Sequence, residues 1–94
     1  MIIVSGRIYV SSGRREAFLA SSRIAVVAAR GAPGCRDFTV AADPIELDRV
    51  NVYEEWTSES ELEAFRGIGP GPELTQVIER AEVSRHHVSS SGPA

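Results

Sequence analysis

Lysine is missing from this chain. All ten cationic side chains are arginines, set against 13 carboxylates, for a net charge of −3. An acidic balance leaves no basic footprint for nucleic acid or for an anionic membrane surface. The arginine-only habit fits a GC-rich coding bias and carries no functional message. Cysteine occurs once, at Cys35, so an internal disulfide is excluded and a reducing compartment fits. Histidine occurs only at His86 and His87. Neighbours on a strand point to opposite faces, so these two cannot serve one ion, and no zinc or iron site is expected. Long apolar runs are absent too. The opening "MIIV" is far short of a signal-peptide core or of the ~20 residues of a membrane span. A cytoplasmic protein with no membrane partner is expected.

What remains is 94 residues, 43% of them apolar. That is one small domain with a thin core, a size at which pairing of two copies is a common remedy. Repeats and linkers are lacking, which predicts a single domain over residues 1–89 and a flexible tail over 90–94.

Hydrophobic periodicity gives the elements. "IIVSGRIYV", Ile2 to Val10, alternates and predicts a strand, with Ile2, Val4, Gly6, Ile8 and Val10 on one face. Arg14 to Arg30 turns helical around an apolar stripe of Ala17, Phe18, Ile24, Ala25, Ala28 and Ala29, closed by Gly31 and Pro33. "CRDFTVAA" is a second strand, with Arg36, Phe38, Val40 and Ala42 sharing a face, and "RVNVYEEW" a third, joined to it through the polar turn "DPIELD". Ser58 and Glu61 are spaced as a capping box, opening a short helix to Arg66 that buries Leu62 and Phe65. After the loop "GIGPGP", Leu74, Val77, Ile78 and Ala81 recur at i, i+3, i+4, i+7 and predict another helix over Glu73 to Arg80, before a last strand "EVSRHHVS". With the two short helices merged, the order is β-α-β-β-α-β. This is a ferredoxin-like α+β fold: a four-stranded antiparallel sheet with helices on one face.

The stretch "VNVYEEWTSESELEAF", Val50 to Phe65, holds the densest chemistry. On a regular strand Glu54 and the single tryptophan, Trp56, share a face with Val50 and Val52, the most apolar set, and so turn toward the helices. The bland reading makes Trp56 a large core side chain with its N–H bonded internally, and Glu54 an edge carboxylate paired with an arginine. The sharper reading makes them a neutral donor and a base in a pocket. Tyr53, Asn51 and Glu55 fall on the opposite face with Tyr9 and Arg7. That polar, aromatic set suits an interface between copies. Cys35 reads as a strand residue turned inward rather than a nucleophile, and "GIGPGP" has neither the spacing nor the lysine of a phosphate loop.

"GR" at 13–14, "GC" at 34–35 leading into a strand with Phe38, and above all Tyr53-Glu54-Glu55-Trp56 before a Ser/Glu-rich helix start resemble the antibiotic biosynthesis monooxygenase-like family. The resemblance implies a dimeric α+β barrel, in which two sheets pack face to face in a homodimer with Tyr9, Asn51 and Tyr53 at the contact. It implies a pocket between each sheet and its own helices, and of the family's pocket groups it carries over Trp56 alone; the residues themselves add Glu54 as a second catalytic candidate and Phe38, Val52, Leu62 and Phe65 as lining. Some members oxygenate anthrones or quinols with no cofactor; others degrade haem. The helix Ser58 to Arg66 lacks the histidine of the haem-degrading members, and Phe65 stands where many relatives have one. Val52 stands where the anthrone oxygenases have asparagine, with Asn51 one residue away, and Leu62 replaces a tyrosine. The expected function is therefore cofactor-independent oxygenation of a small aromatic polyketide, anthrone or quinol-type substrate. The alternative is a non-catalytic barrel that binds a small apolar ligand or a protein partner. An RNA-recognition module shares the element order, but "RVNVYEEW" lacks its basic and aromatic signature.

Overall fold

A computed structural model describes residues 1–67 and 76–94. The elements are β1 (Ile2–Val10), α1 (Arg15–Arg30), β2 (Cys35–Ala42), β3 (Arg49–Trp56), α2 (Glu59–Arg66) and β4 (Ile78–His87). The strands form one antiparallel sheet in the order β2-β3-β1-β4. This is the ferredoxin-like α+β fold that the alternating and helical patterns predicted.

β1 alternates as expected: Ile2, Val4 and Val10 are buried, while Arg7 on the other face is exposed. Pairing of β1 with β3 runs without a break from Ile2 opposite Trp56 to Tyr9 opposite Arg49. Asn51 therefore stays on the outer face and Val52 on the helix side. At Gly6 the backbones of β1 and β4 come so close that a Cβ would collide with the Glu82 carbonyl oxygen.

Two irregularities correct the sequence reading. Between β1 and β4 the register shifts: Val10 lies opposite Ile78 and Tyr9 opposite Arg80, so Glu79 is an extra residue. Ile78 and Ala81, three apart, thereby share a face on a strand. That spacing had predicted a helix; from Ile78 onward the predicted helix is instead β4, and its beginning together with residues 68–72 lies outside the described residues. In β2, Cys35 lies opposite Trp56 and Asp37 opposite Glu55, which leaves Arg36 as the extra residue. Arg36 is exposed and does not share the face of Phe38 and Val40.

The inward face of α1 also differs from its predicted stripe. Phe18, Ser22 and Ala29 are buried, while Ile24 is 78% exposed, and Ala17 and Ala28 face outward with it. Ser22 fits the core because its hydroxyl donates to the Leu19 carbonyl at 3.0 Å. α1 is tied to the sheet at both ends. One Arg15 nitrogen donates to the carbonyls of Asp43, Glu46 and Arg49, and Arg30 Nε donates to the Phe38 carbonyl at 2.8 Å. α2 begins at Ser58, whose hydroxyl oxygen accepts from the Glu61 N–H at 3.3 Å. The Glu61 carboxylate turns to the hydroxyls of Ser58 and Thr57, and these hold its pKa below the usual carboxylate range, Thr57 foremost. The same carboxylate packs on Gly34, which has φ of +82° and no room for a Cβ.

The core is split in two. Ile2, Val4, Ala29, Phe38, Trp56 and Leu62 form one buried cluster; Val10, Phe18 and Val50 form the other. Phe65, expected in the core, is only partly buried, as are Val77 and Ile78, and all three pack on the margins of these clusters.

Candidate functional site

The register places Val83, Gly6, Val52 and Val40 in one row across the helix-facing side of the sheet. All four are only partly covered, and Val40 packs against both core clusters. This row is the floor of a site between sheet and helices. An aromatic wall stands at one end. Trp56 meets Phe65 at a centroid distance of 5.4 Å, tilted by 35°, and Phe38 edge-on at 6.5 Å; Phe38 and Phe65 are 5.8 Å apart. Edge and offset contacts of this kind satisfy the ring quadrupoles and fix the rings relative to one another. Behind Phe65 a half-open cleft of 190 Å³ runs between Ala32, Pro33, Glu61, Ala64 and Phe65. That is smaller than the roughly 300–1,000 Å³ of a common ligand pocket, and the cleft opens to solvent on one side.

The polar centre is Glu54, one row above the floor. It is 6% exposed, and Trp56 is fully buried. The indole N–H donates to Glu54 Oε1 at 2.9 Å, and Arg66, at the end of α2, approaches Oε2 at 3.6 Å. A buried carboxylate needs such partners, because an unpaired one would neutralise or unfold the site. The pair thus joins features of both readings made from sequence. The tryptophan N–H is bonded internally, to a side chain rather than to backbone, and the carboxylate faces an arginine at 3.6 Å. The sequence reading missed Arg66, although its spacing of four from the inward Leu62 already put it on the same helix face.

The predicted pocket residues come together unequally. Phe38 and Phe65 form the wall with Trp56, Val52 is part of the floor, and Leu62, with no exposed surface, packs beneath in the core. The predicted interface residues all lie on the opposite side of the sheet. There Arg49 Nε donates to Asn51 at 2.7 Å, and the Asn51 amide donates to Asp43 at 2.9 Å. The Asp43 carboxylate also accepts from the backbone N–H groups of Glu46 and Ile45, and its pKa is held at about 2. Tyr9 donates to Glu46 at 3.3 Å and lies 4.2 Å beneath the Arg80 guanidinium. Tyr53 sits beside Glu55 and Asp37; partial burial first, and then these two charges, raise its phenol pKa. His86 pairs opposite Ile3 and His87 opposite Ile2, so the two histidines do face opposite ways. Cys35 faces the helices opposite Trp56. Burial, followed by the charges of Glu54 and Asp37, raises the pKa of its thiol, which keeps it a poor nucleophile.

A four-stranded antiparallel sheet with an aromatic cluster and one buried carboxylate on its helix-facing side defines a ferredoxin-like α+β protein. The chain belongs to the antibiotic biosynthesis monooxygenase family, whose sequence profile matches residues 1–68. The comparison with curated proteins returns no match. Solved structures share the whole fold. An antibiotic biosynthesis monooxygenase superposes with a TM-score of 0.83 at 16% identity, over 96% of this chain and 100% of that one. A Shewanella oneidensis protein gives 0.83 at 16%, over 93% and 89%. A Deinococcus radiodurans protein classed with the same family gives 0.82 at 15%, over 100% and 98%. Identity that low carries the fold alone. No helix among the described residues is long and apolar enough to cross a membrane.

Proposed function

We propose that the protein is a cofactor-independent monooxygenase of a small electron-rich aromatic, of the anthrone, quinol or hydroxylated polyketide type, acting as a homodimer. The observation that carries this reading is the Glu54–Trp56 pair: a carboxylate 6% exposed, oriented by a 2.9 Å hydrogen bond from the indole and set beside the aromatic wall. Family membership supports the reaction class.

Such a substrate supplies its own reducing power. Once deprotonated, a hydroxy-anthrone hands an electron to O₂, the two radicals join through a new C–O bond, and the resulting peroxide anion takes the proton back from the base to give a hydroperoxide. Loss of water from the hydroperoxide leaves a carbonyl. One oxygen atom enters the product, the other leaves as water, and the substrate CH₂ is oxidised by two electrons twice over. The protein's share is to take the first proton, hold the anion and keep water away. Glu54 is the base in this scheme. Trp56 holds Oε1, so that Oε2 is the oxygen turned toward the proton. Phe65, the partly exposed ring of the wall, stacks the substrate with Phe38 and Trp56 behind it, Val52 supports it from the floor, and Leu62 backs the wall. The homodimer joins the outer sheet faces around Tyr9, Asn51 and Tyr53, which covers the side of the sheet that the helices leave open.

Oxygen uptake with a panel of hydroxy-anthrones and quinols on metal-stripped protein tests the chemistry. Turnover by wild type, lost in Glu54→Gln with the fold intact, is expected. A well-folded dimer that binds the panel and consumes no oxygen establishes the non-catalytic binding alternative. Sedimentation at micromolar concentration tests assembly; a 10.1 kDa species there would overturn the dimer.

A further inference from the structure

The two partners of Glu54 hold it with unequal firmness. Trp56 grips Oε1 at 2.9 Å. Arg66 stands 3.6 Å from Oε2, beyond the 2.7–3.2 Å of an N–H···O hydrogen bond. Elsewhere on the same helix, carboxylates meet their arginine tightly: Arg85 closes on Glu59 at 2.6 Å and on Glu63 at 2.7 Å. Arg49 and Arg80 also stand off a carboxylate, at 3.4 Å from Asp43 and 3.8 Å from Glu82, but Asp43 and Glu82 each have a closer partner, and among the described residues Glu54 Oε2 has none. The Arg66 side chain is 42% exposed against 8% for Glu54, so this cation bridges the buried carboxylate and the solvent. Among the described residues it is the only cation within 4.0 Å of that carboxylate. It follows directly on Phe65, the ring stacked on Trp56. A guanidinium offers five donors in a planar fork suited to flat oxygen anions, and one contact at 3.6 Å does not saturate it.

The geometry points to Arg66 as the anion anchor of this site: it exchanges Glu54 for an anionic oxygen, carboxylate or phenolate, borne by a flat aromatic ligand stacked on Phe65, the partly exposed ring of the wall. This rests on the reading that the site takes an aromatic ligand, and adds that the ligand is charged. Glu54 keeps its place during the exchange because Trp56, not Arg66, holds it. The carboxylate and the ligand thus compete for one cation, and removing the carboxylate's charge strengthens ligand binding. A bridge that merely braced the fold would not behave this way.

Calorimetry with three unreactive naphthalenes separates the outcomes: 2-naphthoate carries a carboxylate, 2,4-dinitro-1-naphtholate a phenolate oxygen, and 2-naphthylmethanol no charge. Wild type is expected to bind at least one anion about tenfold or more tighter than the neutral probe, and the preferred anion tells which oxygen the site takes. Arg66→Gln removes that preference and leaves the neutral probe's affinity unchanged; Arg66→Lys keeps part of the preference. Glu54→Gln, which retains an acceptor for the indole, tightens anion binding several-fold. The single indole N–H resonance of Trp56 reports in each variant that the fold and the Glu54 contact persist. If Arg66→Gln binds all probes as wild type does, or Glu54→Gln weakens the anions, the anchor is refuted while an aromatic site stands. If no probe binds wild type, the anchor and the aromatic site fall together.

Discussion

Replacing Trp56 by Phe keeps a ring in the wall and deletes one N–H. That N–H is the 2.9 Å partner of a carboxylate with 6% exposure. A hydrogen bond to a charged group contributes about 1.5–3 kcal/mol, and the unfilled space left by the lost pyrrole edge adds about 1 kcal/mol. The expected cost is therefore about 2.5–4 kcal/mol, a large part of the stability of a small domain. In a chain of this length that lowers Tm by about 10–30 °C. Glu54→Gln keeps an acceptor for the indole and removes the buried charge, so it should cost less, about 1 kcal/mol. The double variant has no buried charge left to abandon. Its cost should fall short of the sum of the single costs by about 1–2 kcal/mol. Urea unfolding followed by circular dichroism measures all four proteins, since the fluorescence of the only tryptophan is lost in two of them. Single costs that add within about 0.5 kcal/mol would show that indole and carboxylate do not act as a pair.

Leu62→Ala, at a site with no exposed surface, should cost about 2–5 kcal/mol; a midpoint that barely moves would mean that Leu62 borders open space. Gly34→Ala should lose stability, because the new methyl meets the Glu61 carboxylate at a φ of +82°, and Glu61→Ala should recover part of the loss by clearing that contact. Asp43 has a folded pKa of about 2 against an ordinary 3.8, chiefly through the Glu46 N–H and then the Asn51 amide. A lowered carboxylate pKa stabilises the fold fully above the unfolded value and loses that contribution as pH falls through the folded one. The stability gap between wild type and Asp43→Ala should thus be full above pH 3.8 and narrow toward pH 2; an equal gap at both ends would refute the turn network.

Much of this fold could be read from alternation alone. β2 and β3 fall on the predicted spans, β1 on all of its own, and Ser58 caps α2 where its spacing with Glu61 said it would. The misreadings share a cause. Ile78 and Ala81 repeat at a helical interval because a bulge at Glu79 adds one residue to a strand, and Arg36 leaves the face of Phe38 for the same reason. Period counting assumes an unbroken ladder, and hydrogen-bond partners on another strand decide whether it is broken. In α1 the error was one of chemistry: Ser22 satisfies its hydroxyl on its own helix and can be buried, which releases Ile24 to the surface. At the site, the inward faces of Glu54 and Trp56 were legible from the valines beside them. The contact between the two was not, since it depends on side-chain rotation rather than on spacing.

Both bulges lie in the outermost strands of the sheet. An edge strand presents unpaired backbone groups to any passing copy, and a bulge spoils the straight ladder such a copy would need. β4 adds charge along its length, with Glu79, Arg80, Glu82 and Arg85 in ten residues. Growth by edge addition is open-ended and leads to fibres, whereas contact between like faces closes at two. The irregularities that hid β4 from pattern reading therefore also make both edges of the sheet poor templates for a further strand.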